Sequence, residues 1–323
     1  MHGAIIFLIV SMGIIIVMRY VKKGEHMRDH KVYTIGILQT ASHPALDAVR
    51  DGFITAIQEK KGEKIDFVVR NGQGSIGTIH TIAQQFHAKQ DIDAIFAIAT
   101  PAAQAIISVE KEKPIIIAAV SVAPESAEYF SAPNICGVSD MIDVHKEVEA
   151  MKGLLPETIK TVGIIFCSAE INSVTMSKVM VTELEKAGYQ PLLFGVASEA
   201  DMEAAVHSAV RKVDALLAPT DNIVANSIAL IADIAVKANK PLIVSDNLLV
   251  QYGALMARGI DYYQSGKQAG EIALHIISGK KKPKDIAIVK ADNKEIYVNK
   301  KILDQLGYTI SHTIKQNVVL IEK

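Results

Sequence analysis

Residues 94–99 read Ala94-Ile95-Phe96-Ala97-Ile98-Ala99, and Thr100-Pro101-Ala102-Ala103 follow. An apolar run without period-two alternation fits a strand covered on both faces, as in a parallel sheet flanked by helices. Pro101 then stands in the first turn of a helix over 101–110, where its missing N–H costs little. The same grammar holds on either side. Residues 32–38 read as a strand, and 45–60 as an amphipathic helix with Leu46, Val49, Phe53 and Ile57 at helical spacing. Residues 65–70 form a strand, 76–88 a helix, and 114–120 a second fully apolar strand. Strands alternating with helices predict a parallel, doubly wound sheet.

The pattern then restarts. Thr161-Val-Gly-Ile-Ile-Phe166 resembles Thr34-Ile-Gly-Ile-Leu38. A helix over 174–187, a strand over 191–195 and a helix over 201–212 follow. Ala215-Leu-Leu-Ala218 stands where Ile95-Phe-Ala-Ile98 stood, and each is followed by a threonine turn. Lys113-Pro114 before an apolar strand recurs as Lys240-Pro241 before Leu242-Ile-Val-Ser245. The offset of about 120 to 130 residues marks duplication of a whole domain, since solenoid repeats have periods of about 20 to 50. The expected architecture is therefore α/β, with two similar doubly wound parallel-sheet lobes. Residues 134–144 are expected to cross from one lobe to the other, and a late helix to run over 264–278.

Composition narrows the class. A net charge of −1 over 323 residues argues against a general nucleic-acid binder, which shows a basic excess or stripe. Cys136 and Cys167 lie far apart in no metal-binding spacing; a disulfide is allowed by count, and two buried free thiols are the expectation. Residues 4–18, AIIFLIVSMGIIIVM, carry no charge, and Arg19, Lys22 and Lys23 follow them. The run is shorter than the about twenty residues that span a bilayer. It fits a signal-peptide core or short anchor, although no Lys or Arg precedes it and no cysteine follows for lipid attachment. The basic residues after it would by the positive-inside tendency hold the chain in the cytoplasm. Two readings stand: export or outward anchoring, or a cytoplasmic product whose true start is Met27.

In open parallel sheets ligands bind beyond the carboxyl ends of the strands. Those loops hold Gln39 to His43, Thr100 to Ala102, Ser121, Ser168 to Ser173, Asp221-Asn222 and Asp246-Asn247. Helix N-termini at Thr100–Ala103 and at Asn172–Val174 suit a carboxylate, and Asp221 or Asp246 could accept an ammonium group. Anion donors and a carboxylate facing one cleft fit a zwitterion such as an amino acid. Taken singly, each of these residues is also an ordinary helix cap or turn. His80 and His87 share a helix face two turns apart, a faint metal-ligand spacing that a solvated face explains as well. There is no GxGxxG after the first strand, no Walker loop, no GxSxG and no HExxH, and no cofactor is expected.

Specific segments point further. Ile35-Gly-Ile-Leu-Gln39 with His43-Pro-Ala-Leu-Asp47, Asn134, Gly137-Val-Ser-Asp140, Asn172-Ser173, Pro219-Thr-Asp-Asn222 and 253–270, GALMARGIDYYQSGKQAG, occur in order, with Val298-Asn299 and Leu306-Gly307 near the end. From Val32 to Tyr308 the chain resembles the ABC-transporter substrate-binding proteins of tryptophan/tyrosine type, with the type I periplasmic-binding fold. The resemblance implies two lobes joined by three crossovers: residues 28–139 with about 258–290 in the first, and 140–257 with about 291–323 in the second. Residues 1–27 remain as signal or anchor and linker. It implies a non-enzymatic receptor that closes on a small amino acid, commonly an aromatic one, and hands it to an ABC permease and its ATPase. The receptor would be monomeric, extracytoplasmic, and either periplasmic or anchored. The implied cleft residues are Gln39, His43, Thr100, Ala102, Ser121, Ser168, Asn172, Ser173, Asp221, Asn222, Asp246 and Tyr262. Thr100 and Ser173 would receive the carboxylate, Asp221 the ammonium, and His43 or Tyr262 the side chain. The sequence departs from the family at Ser121-Val-Ala-Pro124, where Thr-Asp-Pro is usual, and at Cys136, where a small polar residue is common. A rival reading is a membrane-anchored sensor domain that reports the ligand to a partner protein. A second rival, an enzyme on the same fold, would need a reactive cluster that no motif supplies.

Overall fold

The computed structural model describes residues 32–60, 64–122, 124–290 and 295–322. Two sheets organise them. The first has the order β11-β5-β4-β3-β1-β2, built from β1 (Val32–Gln39), β2 (Lys64–Asn71), β3 (Ala94–Ile98), β4 (Ile115–Val120), β5 (Ile135–Ser139) and β11 (Val289–Lys290), all parallel. The second has the order β13-β12-β10-β9-β8-β6-β7. Its strands are β6 (Thr161–Cys167), β7 (Gln190–Val196), β8 (Ala215–Ala218), β9 (Leu242–Asp246), β10 (Met256–Ile260), β12 (Ile296–Asn299) and β13 (Val318–Ile321). Only the β10–β12 pairing is antiparallel.

β3 shows why its apolar run was diagnostic. All five residues are wholly buried. Phe96 faces helix α1 (Pro44–Gln58) and stacks on Phe53 with ring centroids 3.8 Å apart. Ile95 and Ala97 point to the other face, into a cluster with Phe86 of α2 (Ile76–Ala88) and Ile106 of α3 (Thr100–Val109). A polar side chain on either face would be buried without a partner, so the strand cannot alternate.

In the second lobe, α5 (Ile171–Lys186), α6 (Met202–Val210), α7 (Asn222–Asn226) and α8 (Ile228–Lys237) cover the sheet. Residues 134–144, expected to be a connection, divide. Residues 135–139 are strand β5 of the first sheet, and only 140–143 cross before α4 (Val144–Lys152). The strand was hidden by Cys136-Gly137: Gly137 has φ 147°, and a Cβ there would lie 2.1 Å from the Ile117 carbonyl oxygen. The paired α7 and α8 have no counterpart among the elements expected from the sequence, where only Asp221-Asn222 reads as a turn or cap.

The chain leaves the second sheet again after β10. That strand carries a register irregularity between Ala257 and Ile260. Gly259 sits there because a Cβ would meet the Ser245 carbonyl oxygen at 1.8 Å. The Asn247 side chain stands in for the interrupted ladder, accepting from Gly259 N–H and donating to its carbonyl. Helix α9 (Tyr262–Ile277) then lies on α1 of the first lobe. Gly52, Gly266 and Gly270 let the two helix backbones touch: a Cβ on Gly266 would be 2.1 Å from the Val49 carbonyl oxygen. The third connection runs from β11 to β12, and α10 (Lys300–Leu306) follows it. No helix among the described residues is long and apolar enough to cross a membrane, and the apolar run 4–18 lies outside those residues.

Candidate functional site

The carboxyl ends of both sheets face one small cavity between the lobes, about 20 Å³, room for one water-sized sphere. The first lobe lines it with His43 and Leu46 of the β1–α1 turn and helix, Ala119 of β4, Asp140 after β5, and Tyr262 at the start of α9. The second lobe supplies Asn172 of α5, residues 219–222 after β8, Asp246 of β9 and Leu249. No Lys or Arg is among the lining residues.

Three carboxylates therefore face the cavity, and Glu170 stands directly behind them. Asp246 is pushed up to about 7 by burial, with the negative charges of Asp140 and Asp261 adding to it. Its Oδ1 accepts from Leu248 N–H at 2.9 Å, and its Oδ2 has no partner. Asp140 is raised to about 6 by burial, opposed by hydrogen bonds from Ser121 Oγ at 2.8 Å and Tyr262 OH at 3.2 Å. Asp221 caps α7 through Val224 N–H and also accepts from Cys167 N–H and Ser173 Oγ. Burial raises both Asp221 and Glu170, and Asp221's charge raises Glu170 further.

Among the described residues, one side-chain hydrogen bond spans the cleft. His43 Nε2 lies 3.3 Å from Asn222 Oδ1. Asn222 Nδ2 donates to Glu170 Oε2 at 2.7 Å, so its Oδ1 is left as an acceptor and His43 must donate from Nε2. Burial lowers His43's pKa and holds the ring neutral, leaving Nδ1 as a buried acceptor without a partner. Asn172 Oδ1 and Thr220 Oγ1 are likewise buried and unpartnered. The first-turn amides of α5 begin beside them. Two alanines at the cleft-facing strand ends hold left-handed backbone, Ala99 at φ 74° and Ala119 at φ 54°. Non-glycine residues held in that region cost about 1–3 kcal/mol each and tend to cluster at ligand clamps.

Of the residues proposed from the sequence, the structure brings His43, Asn172, Asp221, Asn222, Asp246 and Tyr262 to the cavity. It places the others elsewhere. Gln39 is spent on Ala41 and Asp47 as donor and on Arg50 as acceptor. Ala102 N–H donates to Thr40 Oγ1. Ser121 and Ser173 stand one bond back, holding Asp140 and Asp221. Ser168 is exposed and donates to the Val196 carbonyl. Thr100 Oγ1 is buried and unpartnered in the first turn of α3, outside the lining. Asp140, Glu170, Thr220 and Ala119 were missed. Asp140 would have been found as a strand-end residue had 135–139 been read as a strand. His87 Nδ1 pairs with Glu110 Oε2 at 3.0 Å, and no group of three metal-ligating side chains forms among the described residues. Cys136 and Cys167 are buried free thiols.

Two α/β lobes that meet over a small polar cavity have the form of a solute-binding protein. The sequence matches the family "ABC transporter substrate binding protein" over residues 34–319, and the chain belongs to that family. A "Tyrosine-binding protein" of Clostridioides difficile (strain R20291) is 34% identical over 283 residues, covering 85% of this chain and 81% of that one. The crystal structure of an ABC domain in complex with L-Trp from Streptococcus pneumonia is 30% identical, with a TM-score of 0.83, over 90% of this chain and 100% of that one. The ligand-free, open structure of a substrate binding protein with adhesive properties from Clostridium difficile is 34% identical with a TM-score of 0.67, over 90% of this chain and 99% of that one. The fold is the type I periplasmic-binding fold.

Proposed function

We propose that the chain binds an amino acid with an aromatic side chain between its lobes, closes on it, and presents it to an ABC importer outside the cytoplasmic membrane. The observation that carries this reading is the unbalanced charge of the cavity. Three buried carboxylates line it with no Lys or Arg among the lining residues, and Asp246 Oδ2 has no partner. A ligand ammonium group supplies the missing positive charge and three donors to match the orphaned acceptors. The first-turn amides of α5 supply a place for the ligand carboxylate. Asp246 is the better ammonium partner than Asp221, whose two oxygens already hold three donors. The tyrosine-binding relative and the L-Trp-bound neighbour support an aromatic amino acid.

A cavity of about 20 Å³ admits no amino acid, so the lobes must part for entry and close around a bound ligand at a wider spacing than this one. The greater likeness in shape to the L-Trp complex than to the more identical open structure supports that motion. Closure is then a population shift, because only the closed form contacts the ligand from both lobes.

The test is a thermal-shift screen of the chain with L-tyrosine, L-tryptophan, sugars and nucleosides. An aromatic amino acid at a hundred times its dissociation constant should stabilise the protein by about 2.7 kcal/mol. Stabilisation by a sugar or nucleoside alone would overturn the amino-acid assignment and leave the fold intact.

A further inference from the structure

A second crevice, which shares no lining residue with the cleft cavity, lies where the first connection, β10 and the end of β11 meet. Its volume is about 560 Å³, within the range of about 300–1,000 Å³ typical of small-molecule sites. The first connection and the start of α4 contribute Asp143, His145 and Lys146; β10 contributes Arg258 and the end of β11 Lys290, while α5 adds Glu183. Most of these charges are already matched. Asp143 pairs with Lys146 at 3.3 Å, and Glu183 pairs with His145 at 3.1 Å and with Lys186 at 2.7 Å. Arg258, half-buried on β10, and Lys290 make no side-chain hydrogen bond or ion pair among the described residues. The charge of Arg258 acts on two carboxyl groups without forming an ion pair: it helps hold Asp143 below its ordinary value, and it opposes the burial that raises the wholly buried Glu147 to about 8.

We propose that this hinge crevice binds a small oxyanion, a phosphate or a carboxylate, between Arg258 and Lys290, and that its occupant favours the closed lobes. A guanidinium presents a planar fork that pairs with either group through two hydrogen bonds, and the ammonium adds a point charge. Arg258 stands on β10, just before the second connection, and Lys290 ends β11, just before the third. An anion held by both draws these strands together, which favours lobes closed around a ligand over lobes fully parted. By linkage, a cleft ligand and the hinge anion each tighten the other. The anion site stands independently of the amino-acid reading; the coupling rests on it.

The test uses the full chain and isothermal titration with inorganic phosphate and, separately, citrate, against chloride at equal ionic strength. The two anions distinguish a phosphate from a carboxylate ligand. We expect saturable binding of at least one of them, weakened about tenfold or more in Arg258→Gln and less in Lys290→Gln. Arg258→Lys keeps the charge and loses the fork, and should fall between wild type and Arg258→Gln; with Lys290→Gln it decides the matter if Arg258→Gln fails to fold. Lys280→Gln, on an exposed turn, controls for net charge and should bind as wild type does. Saturating anion should tighten L-tryptophan binding about fivefold or more in wild type and not in Arg258→Gln. Binding no stronger than chloride, or unchanged in the Arg258 variants, overturns the site. Anion binding with no effect on L-tryptophan affinity overturns the coupling alone. Failure of L-tryptophan to bind counts against the amino-acid reading, while the anion titration still decides the site.

Discussion

Replacing Asp246 with asparagine separates the charge of this side chain from its shape. The Oδ1 acceptor that receives Leu248 N–H is retained, so the turn after β9 keeps its cap. What disappears is the buried negative charge, centred on a carboxylate whose Oδ2 has no partner within the protein. Removing one side of a buried charge pair costs about 3–5 kcal/mol, so the dissociation constant for L-tyrosine or L-tryptophan should rise by about two to three and a half orders of magnitude. Without ligand the same substitution acts in the opposite sense. Burial raises Asp246 from 3.8 to about 7, so the closed form holds a proton that a solvated carboxyl releases. That contribution to stability is fully present below about pH 4 and is lost as pH rises through about 7. At about 1.4 kcal/mol per pH unit the swing is about 4 kcal/mol, an order-of-magnitude figure for the closed form. The protein need not unfold to escape it, because parting the lobes rehydrates Asp246. The swing should therefore appear as opening. By small-angle scattering, ligand-free wild type should expand between roughly pH 5 and pH 8. Asp246→Asn should stay more compact at the upper end, keeping only the smaller steps left by the other raised acids, such as Asp140 near pH 6. An Asp246→Asn protein that binds both amino acids within about threefold of wild type would refute the ammonium assignment. One that expands with pH as wild type does would show that another group drives the opening.

Asn222→Ala removes the acceptor of the only side-chain hydrogen bond described across the cavity and strips Glu170 of a donor. Scattering should show a more open ligand-free form, and calorimetry should show affinity lower by about tenfold. Gly266→Ala places a Cβ 2.1 Å from the Val49 carbonyl oxygen, so α1 and α9 must separate. Chemical denaturation should report a loss of about 1–3 kcal/mol or more. Gly77→Ala, with nothing within 4 Å of its Cβ, should be neutral or gain about 0.5–1 kcal/mol. Burial raises the Cys136 thiol to about 12 and also raises Cys167, so a thiol reagent at pH 8 should label neither until denaturant is added.

The lobes were legible because their strands are buried on both faces. Residues 94–98, 115–120, 215–218 and 242–246 cannot alternate, and the sequence shows that directly. The repeat offset carried the second lobe. The failures are local. Residues 135–139 were read as connection because a glycine and a cysteine interrupt an otherwise apolar run, although the glycine is there to let β5 approach Ile117. Residues 223–237 carry no assignment from the sequence, where two short helices abut at Ser227. The site was half legible. Strand-end position brought His43, Asn172, Asp221, Asn222 and Asp246 into view, the family resemblance added Tyr262, and the structure gathers them. The same rule could not show that Gln39 faces Asp47 and Arg50, or that Ser168 turns back to Val196. Side-chain direction at a strand end depends on the turn that follows, and one residue of difference moves a side chain from the cleft to the flank.

The charge imbalance of the cavity bears on selectivity as well as affinity. A closed form with Asp140, Asp221 and Asp246 around one small space, and no Lys or Arg among the residues lining it, must either keep protons or leave negative charges unpaired. Both cost free energy at neutral pH, and the left-handed backbone at Ala99 and Ala119 adds strain to the same arrangement. Closure around a ligand offsets those costs only if the ligand brings a positive charge. A neutral solute of similar shape would fill the space and leave Asp246 Oδ2 without a counter-charge. Sites built around buried charges reject such isosteres more strongly than apolar pockets do, because the penalty falls on the unpaired protein group rather than on a missing contact. On the proposed reading, discrimination against uncharged solutes follows from these charges, while discrimination among amino acids would fall to Leu46, Ala119, Leu249, Tyr262 and the free Nδ1 of His43.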